Sequence, residues 1–149
     1  MSLQKEIMTK LKEAMKAKDS VALESLRAVK SAILLAQTET GAKEELTEVQ
    51  ELKILQKLVK QRKDSAQLFS EQGREDLAAP ELAQADVISQ FLPAQMSEEA
   101  IESVVAEIIA QTGVVGMKDM GKVMGMSSKQ LAGKADGKTI ATIVKKLLA

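Results

Sequence analysis

Apolar residues in this chain return every three or four positions, and no stretch alternates long enough to suggest a strand. Leu3, Ile7, Leu11 and Met15 fall four apart, the stripe of an amphipathic helix. Asp19 and Ser20 offer side-chain oxygens to the open amides of a second helix start, and Leu23, Leu26, Val29, Ile33 and Ala36 supply its apolar side. So short a link makes the two an antiparallel hairpin. The pattern dissolves at Thr38-Glu39-Thr40-Gly41 and a polar stretch follows. Thr47 and Gln50 then stand three apart, the spacing at which each side chain reaches the other's backbone N–H. They open a long third helix with Val49, Leu52, Leu55, Val59, Arg62, Ala66 and Phe69 on one side. Gly73 is placed to close it in a left-handed cap. Lys57, Lys60, Arg62 and Lys63 make its middle basic, which reads as a solvated face with ion pairs to Asp64 and the acidic helices.

Arg74-Glu75-Asp76 opens a fourth helix whose apolar set is Leu77, Leu82, Ala85, Ile88 and Phe91. Pro80 lies inside that pattern. It has no N–H and crowds the preceding turn, which predicts a true start at Ala79-Pro80 or a kink there. Pro93 stops the segment, and Ala94-Gln95-Met96 reads as a linker. Ser97 caps a fifth helix with Glu98 and Glu99 in its first turn. Ile101, Val104, Val105 and Ile108 face inward, and Gly113 ends it. A short helix is expected over residues 117–124, its apolar side Met117, Met120, Val123 and Met124. Gly116, Gly121 and Gly125 weaken it but let neighbouring backbones approach. Ser127 or Ser128 reads as a helix cap. Residues 133–138 form a turn in which Asp136 caps a last helix with the stripe Ile140, Ile143, Val144 and Leu147. The pattern predicts an all-α protein of about seven helices. Residues 1–93 form an N-terminal domain of about four helices, a hairpin or bundle, and residues 97–149 a small three-helix C-terminal domain.

Composition narrows the chemistry. The 149 residues include no Cys, His, Trp or Tyr, and Phe69 and Phe91 are the only aromatics. Thiolate nucleophiles and metal sites, imidazole bases and the aromatic platforms that stack bases are all excluded. No apolar run is long enough to span a bilayer, and the N-terminus has no apolar stretch of signal-peptide type, so a cytoplasmic location is expected. Residues 116–121 place glycines near a helix start but lack the Gly-Lys-Ser/Thr ending of a phosphate loop. Ser127-Ser128-Lys129 matches serine–lysine hydrolases in residue types only, without the strained turn that activates a serine. Glu44-Glu45 and Glu98-Glu99 sit in a loop and at a helix start, where they meet amides and water. We therefore assign no catalytic, cofactor-binding or metal-ligating residue.

Charge is uneven although it sums to zero. From Met117 onward seven lysines (118, 122, 129, 134, 138, 145 and 146) face only Asp119 and Asp136, a net of +5, and the rest of the chain carries −5. Such asymmetry points to an anionic partner, against the plainer reading of a solvated lysine face. Met117, Met120, Met124 and Met126 fit either a glycine-loosened core or an adaptable contact surface. The amides of the 133–138 turn, its lysines and the helix start behind it could receive a phosphate. Asp136 competes for the same amides, and as a capped turn the segment needs no ligand.

Several motifs are familiar together. Residues 59–65 (VKQRKDS), 73–77 (GREDL), Phe91-Leu92-Pro93, 117–124 (MKDMGKVM) and 133–138 (GKADGK) resemble, in the same order, the YqeY family of small bacterial proteins. Departures are Pro80, where family members more often carry helix formers, and Ser127-Ser128, where they continue the short helix. From Ser97 onward the chain also resembles the tail of the GatB subunit of glutamine-dependent tRNA amidotransferase, through the Gly-Lys-Val-Met run and the Gly-Lys-Ala-Asp turn. In that enzyme the tail helps to hold tRNA while the chemistry lies elsewhere. The resemblance implies a non-catalytic module associated with tRNA or another structured RNA, with no cofactor. Its contacts would come from Lys118, Lys122, Lys129, Gly133, Lys134 and Lys138, read by shape because nothing can stack on bases. Two alternatives stay open. One is an adaptor docking on an amidotransferase or an aminoacyl-tRNA synthetase through the methionines. The other is a component carrying carbon–nitrogen ligase activity with glutamine as amido donor.

Overall fold

The computed structural model of the protein describes residues 2–39, 41 and 45–149. Among these the backbone forms seven α-helices and no strand, the all-α class that the spacing implies. They are α1 (Leu3–Ala17), α2 (Ser20–Glu39), α3 (Glu48–Glu71), α4 (Glu75–Ser89), α5 (Glu98–Thr112), α6 (Met120–Gln130) and α7 (Gly137–Leu148). A 3-10 turn, Met117–Asp119, leads into α6. The polar stretch between α2 and α3, with Glu44 of one carboxylate pair, falls partly outside the described residues. The chain divides into two compact units, Met1–Leu92 and Pro93–Ala149.

In the first unit local chemistry sets the helix ends. Asp19 Oδ1 accepts the Ala22 amide at 3.1 Å. The Thr47 amide donates to Gln50 Oε1 at 2.8 Å while Thr47 Oγ1 accepts the Gln50 amide at 3.2 Å, and Gly73 (φ +73°) follows the end of α3. The core joins Leu3, Ile7, Leu11 and Ala14 of α1 to Leu26, Val29 and Ile33 of α2, Leu55 and Val59 of α3, and Ala85 and Ile88 of α4. Met15, expected in the α1 stripe, is 59% exposed. A spacing of four advances about 40° around the helix at each step, so after three steps the row has drifted off the core. The step of three to Ala14 corrects the drift.

The apolar side of α4 also differs from the expected one. Ala78, Ala85 and Ile88 are buried, whereas Leu77 and Leu82 are exposed. Small side chains on the packed side let α4 lie close along α3, where Ala66 is buried in turn. Nor does α4 begin at Ala79-Pro80: it starts at Glu75 and includes Pro80. The missing N–H there would have reached the carbonyl of Asp76, and both residues are exposed, so that carbonyl is open to solvent. Arg62 leaves the apolar row by turning its half-buried guanidinium toward α4. Its Nε donates to Gln84 Oε1 at 3.1 Å, and Gln84 Nε2 donates to Glu24 of α2 at 2.9 Å. The ion pairs expected for the lysines of α3 do not form among the described residues, whose ion pairs are Lys10–Glu13, Arg74–Asp76 and Lys146–Glu102.

In the second unit Ser97 Oγ accepts the Ala100 amide at 3.2 Å and Gly113 (φ +66°) ends α5. Ile101, Val105 and Ile108 pack with Val123, Leu131, Ala135, Ile140, Ile143, Val144 and Leu148. The helix expected over 117–124 runs on to Gln130, so Ser127 and Ser128 are interior residues rather than caps. Ser127 is fully buried, and its hydroxyl has no hydrogen-bond partner among the described residues. No single described helix is long and apolar enough to cross a membrane.

Candidate functional site

The turn after α6 is built by contacts that arrive from far along the chain. Gly133 adopts φ +75°, a left-handed conformation that costs glycine nothing, and this turns the backbone from α6 toward α7. The Gly133 carbonyl accepts from Gln95 Nε2 at 2.8 Å, and the Lys134 carbonyl accepts from the Met96 amide at 2.9 Å. The segment read as a linker is thus a strap holding the 133–134 turn. Within the turn the Lys134 amide donates to the Leu131 carbonyl at 2.9 Å, and the Thr139 amide donates to Asp136 Oδ1 at 2.7 Å. Two of the amides that a phosphate would use are therefore already satisfied within the chain, and Gly133 is buried.

The lysines distribute themselves over this frame. All seven from Lys118 to Lys146 are exposed. Lys146 Nζ lies 3.5 Å from Glu102 Oε2, and Lys138 lines the same cleft with Glu98 and Glu102 between α7 and α5. None of the other six is within ion-pairing distance of a carboxylate among the described residues. Lys122 and Lys129 stand two turns apart on one side of α6, about 10 Å along its axis. Lys118 precedes them by one turn, on the 3-10 turn. Lys134 stands in the turn beyond α6 and Lys138 in the first turn of α7. Because α5 contributes Glu98, Glu99, Glu102 and Glu107, the second unit carries seven lysines against six carboxylates. The charge polarity lies within that unit, between α5 and the segments after it.

The side of α6 that carries Lys122 and Lys129 also carries Gly125 and Met126, opposite the buried Val123 and Ser127. Gly121 borders it. The expectation that these glycines admit a neighbouring backbone fails among the described residues: a Cβ at Gly121 or Gly125 would meet none of their atoms within 4 Å, and neither glycine has a positive φ. Bare helix backbone here costs helix stability with no internal packing in return. The methionines split between the two roles. Met120 and Met124 pack on the core, while Met117 and Met126 are exposed, and Val115, just before Met117 in sequence, is 87% exposed. Sequence reasoning passed over Val115 and the Gln95 strap. A lone Val in a loop carries no periodic signal, and a glutamine amide can bond almost anything.

These features describe a small two-unit helical protein whose second unit presents an exposed, lysine-bearing helix with bare backbone. The chain belongs to the Yqey-like protein family, whose family model matches residues 4–148. It is similar to "Altered inheritance of mitochondria protein 41, mitochondrial" of Clavispora lusitaniae, with 38% identity over 95 residues that cover 62% of this chain and 54% of that protein. It is also similar to a glutamyl-tRNA(Gln) amidotransferase subunit of Thermococcus gammatolerans, 33% identical over 56% of this chain and 14% of that protein. The corresponding amidotransferase protein of Methanococcus maripaludis is 46% identical over 36% of this chain and 9% of its own length. The chain thus spans about half of the first relative and a small part of each amidotransferase protein.

Proposed function

We propose that this protein is a non-catalytic accessory module related to tRNA amidotransferase, and that its second unit takes up tRNA or another structured RNA through α6 and the segments beside it. The observation that carries this reading is the exposed side of α6. Lys122 and Lys129 stand there without carboxylate partners among the described residues, and Gly125 lets a partner reach the backbone itself. A phosphate chain fits such a surface, because it brings negative charge to the ammonium groups and asks for no side-chain pocket. With no aromatic residue in the unit, recognition rests on backbone charge and shape. The relation to the two archaeal amidotransferase proteins, whose name records a tRNA substrate, supports the same partner class.

Fluorescence anisotropy with unfractionated tRNA across a salt series tests the proposal. With about four phosphates neutralised by the second unit, that unit contributes roughly 3 to the magnitude of the log–log slope. Replacing both Lys122 and Lys129 by Gln lowers that slope by about 2. Absence of saturable binding at low salt, or a slope indifferent to the double substitution, would sink it.

A second reading rests on Val115, Met117 and Met126, whose exposure favours docking on a protein such as an amidotransferase or synthetase. Apolar contact of that kind survives high salt and nuclease treatment, whereas the RNA contact does not.

A further inference from the structure

The densest positive charge in the chain lies outside the second unit. Residues 52–63 contain Lys53, Lys57, Lys60, Arg62 and Lys63 and no acidic residue, matching in twelve residues the net charge of all 33 from Met117 onward. All twelve belong to α3. Helical spacing sorts them, since Lys53, Lys57 and Lys60 fall at i, i+4 and i+7 and share one side. Arg62 lies on the opposite side, where its guanidinium bonds Gln84 and the Leu58 carbonyl. Lys53, Lys57, Lys60 and Lys63 are exposed. No carboxylate of α2, α3 or α4 comes within ion-pairing distance of them among the described residues. Like charges three and four apart repel and weaken a helix, and on this side of α3 Asp64, four residues after Lys60, offsets only part of that.

We infer that the Lys53–Lys57–Lys60 side of α3 is a second polyanion-binding surface, which engages the phosphate backbone of the same RNA as the second unit. The surface is an observation on α3 alone, and the choice of RNA rests on the reading given above. Charge complementarity selects the class, for three unpaired ammonium groups in a row along about 10 Å of helix suit a row of phosphates. Gln50, Gln61 and Asp64 border the row and the exposed Val49 stands one turn before it, too little apolar surface to enter a bilayer. Because both surfaces belong to one chain, an RNA that reaches both meets the second intramolecularly, and the two then strengthen each other.

The test uses the full chain, unfractionated tRNA and three sets of substitutions. Lys53, Lys57 and Lys60 are changed together to Gln, and Lys122 and Lys129 form the second set. Lys5, Lys12 and Lys16, exposed on α1, are changed to Gln as a control of equal charge. The α3 triple lowers the salt slope by about 2 to 3 and weakens binding more than about tenfold at ~0.1 M salt. The α1 triple, interspersed with Glu6 and Glu13, changes little. Thermal unfolding of each variant identifies any that fails to fold, and single Lys57→Gln and Lys60→Gln variants, each lowering the slope by somewhat under 1, then replace the triple. If the α3 and α1 triples behave alike, the inference falls while the reading of the second unit stands. If only the α3 triple weakens binding, the surface stands and that reading falls. Wild-type protein that ignores tRNA but binds phosphatidylserine vesicles overturns both.

Discussion

Arg62 and Gln84, 22 residues apart in sequence, meet in a hydrogen bond of 3.1 Å from the guanidinium Nε to the amide oxygen. The other end of the same amide donates to Glu24 at 2.9 Å, so one glutamine links α2, α3 and α4. Arg62 and Gln84 are half-buried and Glu24 is exposed, and of the three only Gln84 can serve a donor and an acceptor together.

Replacing Gln84 with Leu removes both bonds at similar volume and leaves the half-buried guanidinium with its bond to the Leu58 carbonyl. We expect a loss of about 1–2 kcal/mol in urea unfolding, with no change in helix content. Stability equal to that of wild type would show that water already satisfies both charges.

Ser127 sets the opposite expectation. Its hydroxyl is buried without a partner, a state that costs about 1 kcal/mol or more, and serine is a poorer helix former than alanine. Ser127→Ala therefore stabilises the second unit by about 1 kcal/mol. Measured destabilisation would mean that the hydroxyl has a partner after all.

Gly121→Ala and Gly125→Ala should separate stability from binding. Each added methyl meets empty space and gains about 1 kcal/mol of helix propensity, so thermal midpoints rise. Affinity for tRNA falls at the same time, most for Gly125, because the methyl holds the phosphate backbone away. Parallel gains in both would argue against close approach at this helix.

The carboxyl of Glu51 is held above its ordinary value by burial first, then by the charges of Glu48 and Glu45. An acid with a raised folded pKa favours the fold when protonated. Its penalty is fully present above the raised pKa and fades as pH falls toward the ordinary value near 4.5, since in that window the folded state binds more protons than the unfolded one. Glu51→Gln should therefore raise the urea midpoint at pH 7, with an advantage that shrinks as pH is lowered toward 4.5. A variant less stable at pH 7 would show that the charge is favoured at the start of α3.

The helices and most of their ends were legible in the residue order. Caps such as Thr47 with Gln50, Ser97 with Ala100 and Asp136 with Thr139 act across three residues, and the apolar period needs only the geometry of one helix. The family was legible too, because its motifs are contiguous. Packing between helices chose, within a few tens of degrees, which side of each one turns inward, and so exposed Met15, Leu77 and Leu82 and buried Ser127. It brought Gln95 to Gly133 and Gln84 to Glu24, 38 and 60 residues apart. It also left α6 with backbone that nothing described in the chain covers. Such outcomes depend on how whole helices fit against one another, and local spacing holds no record of that.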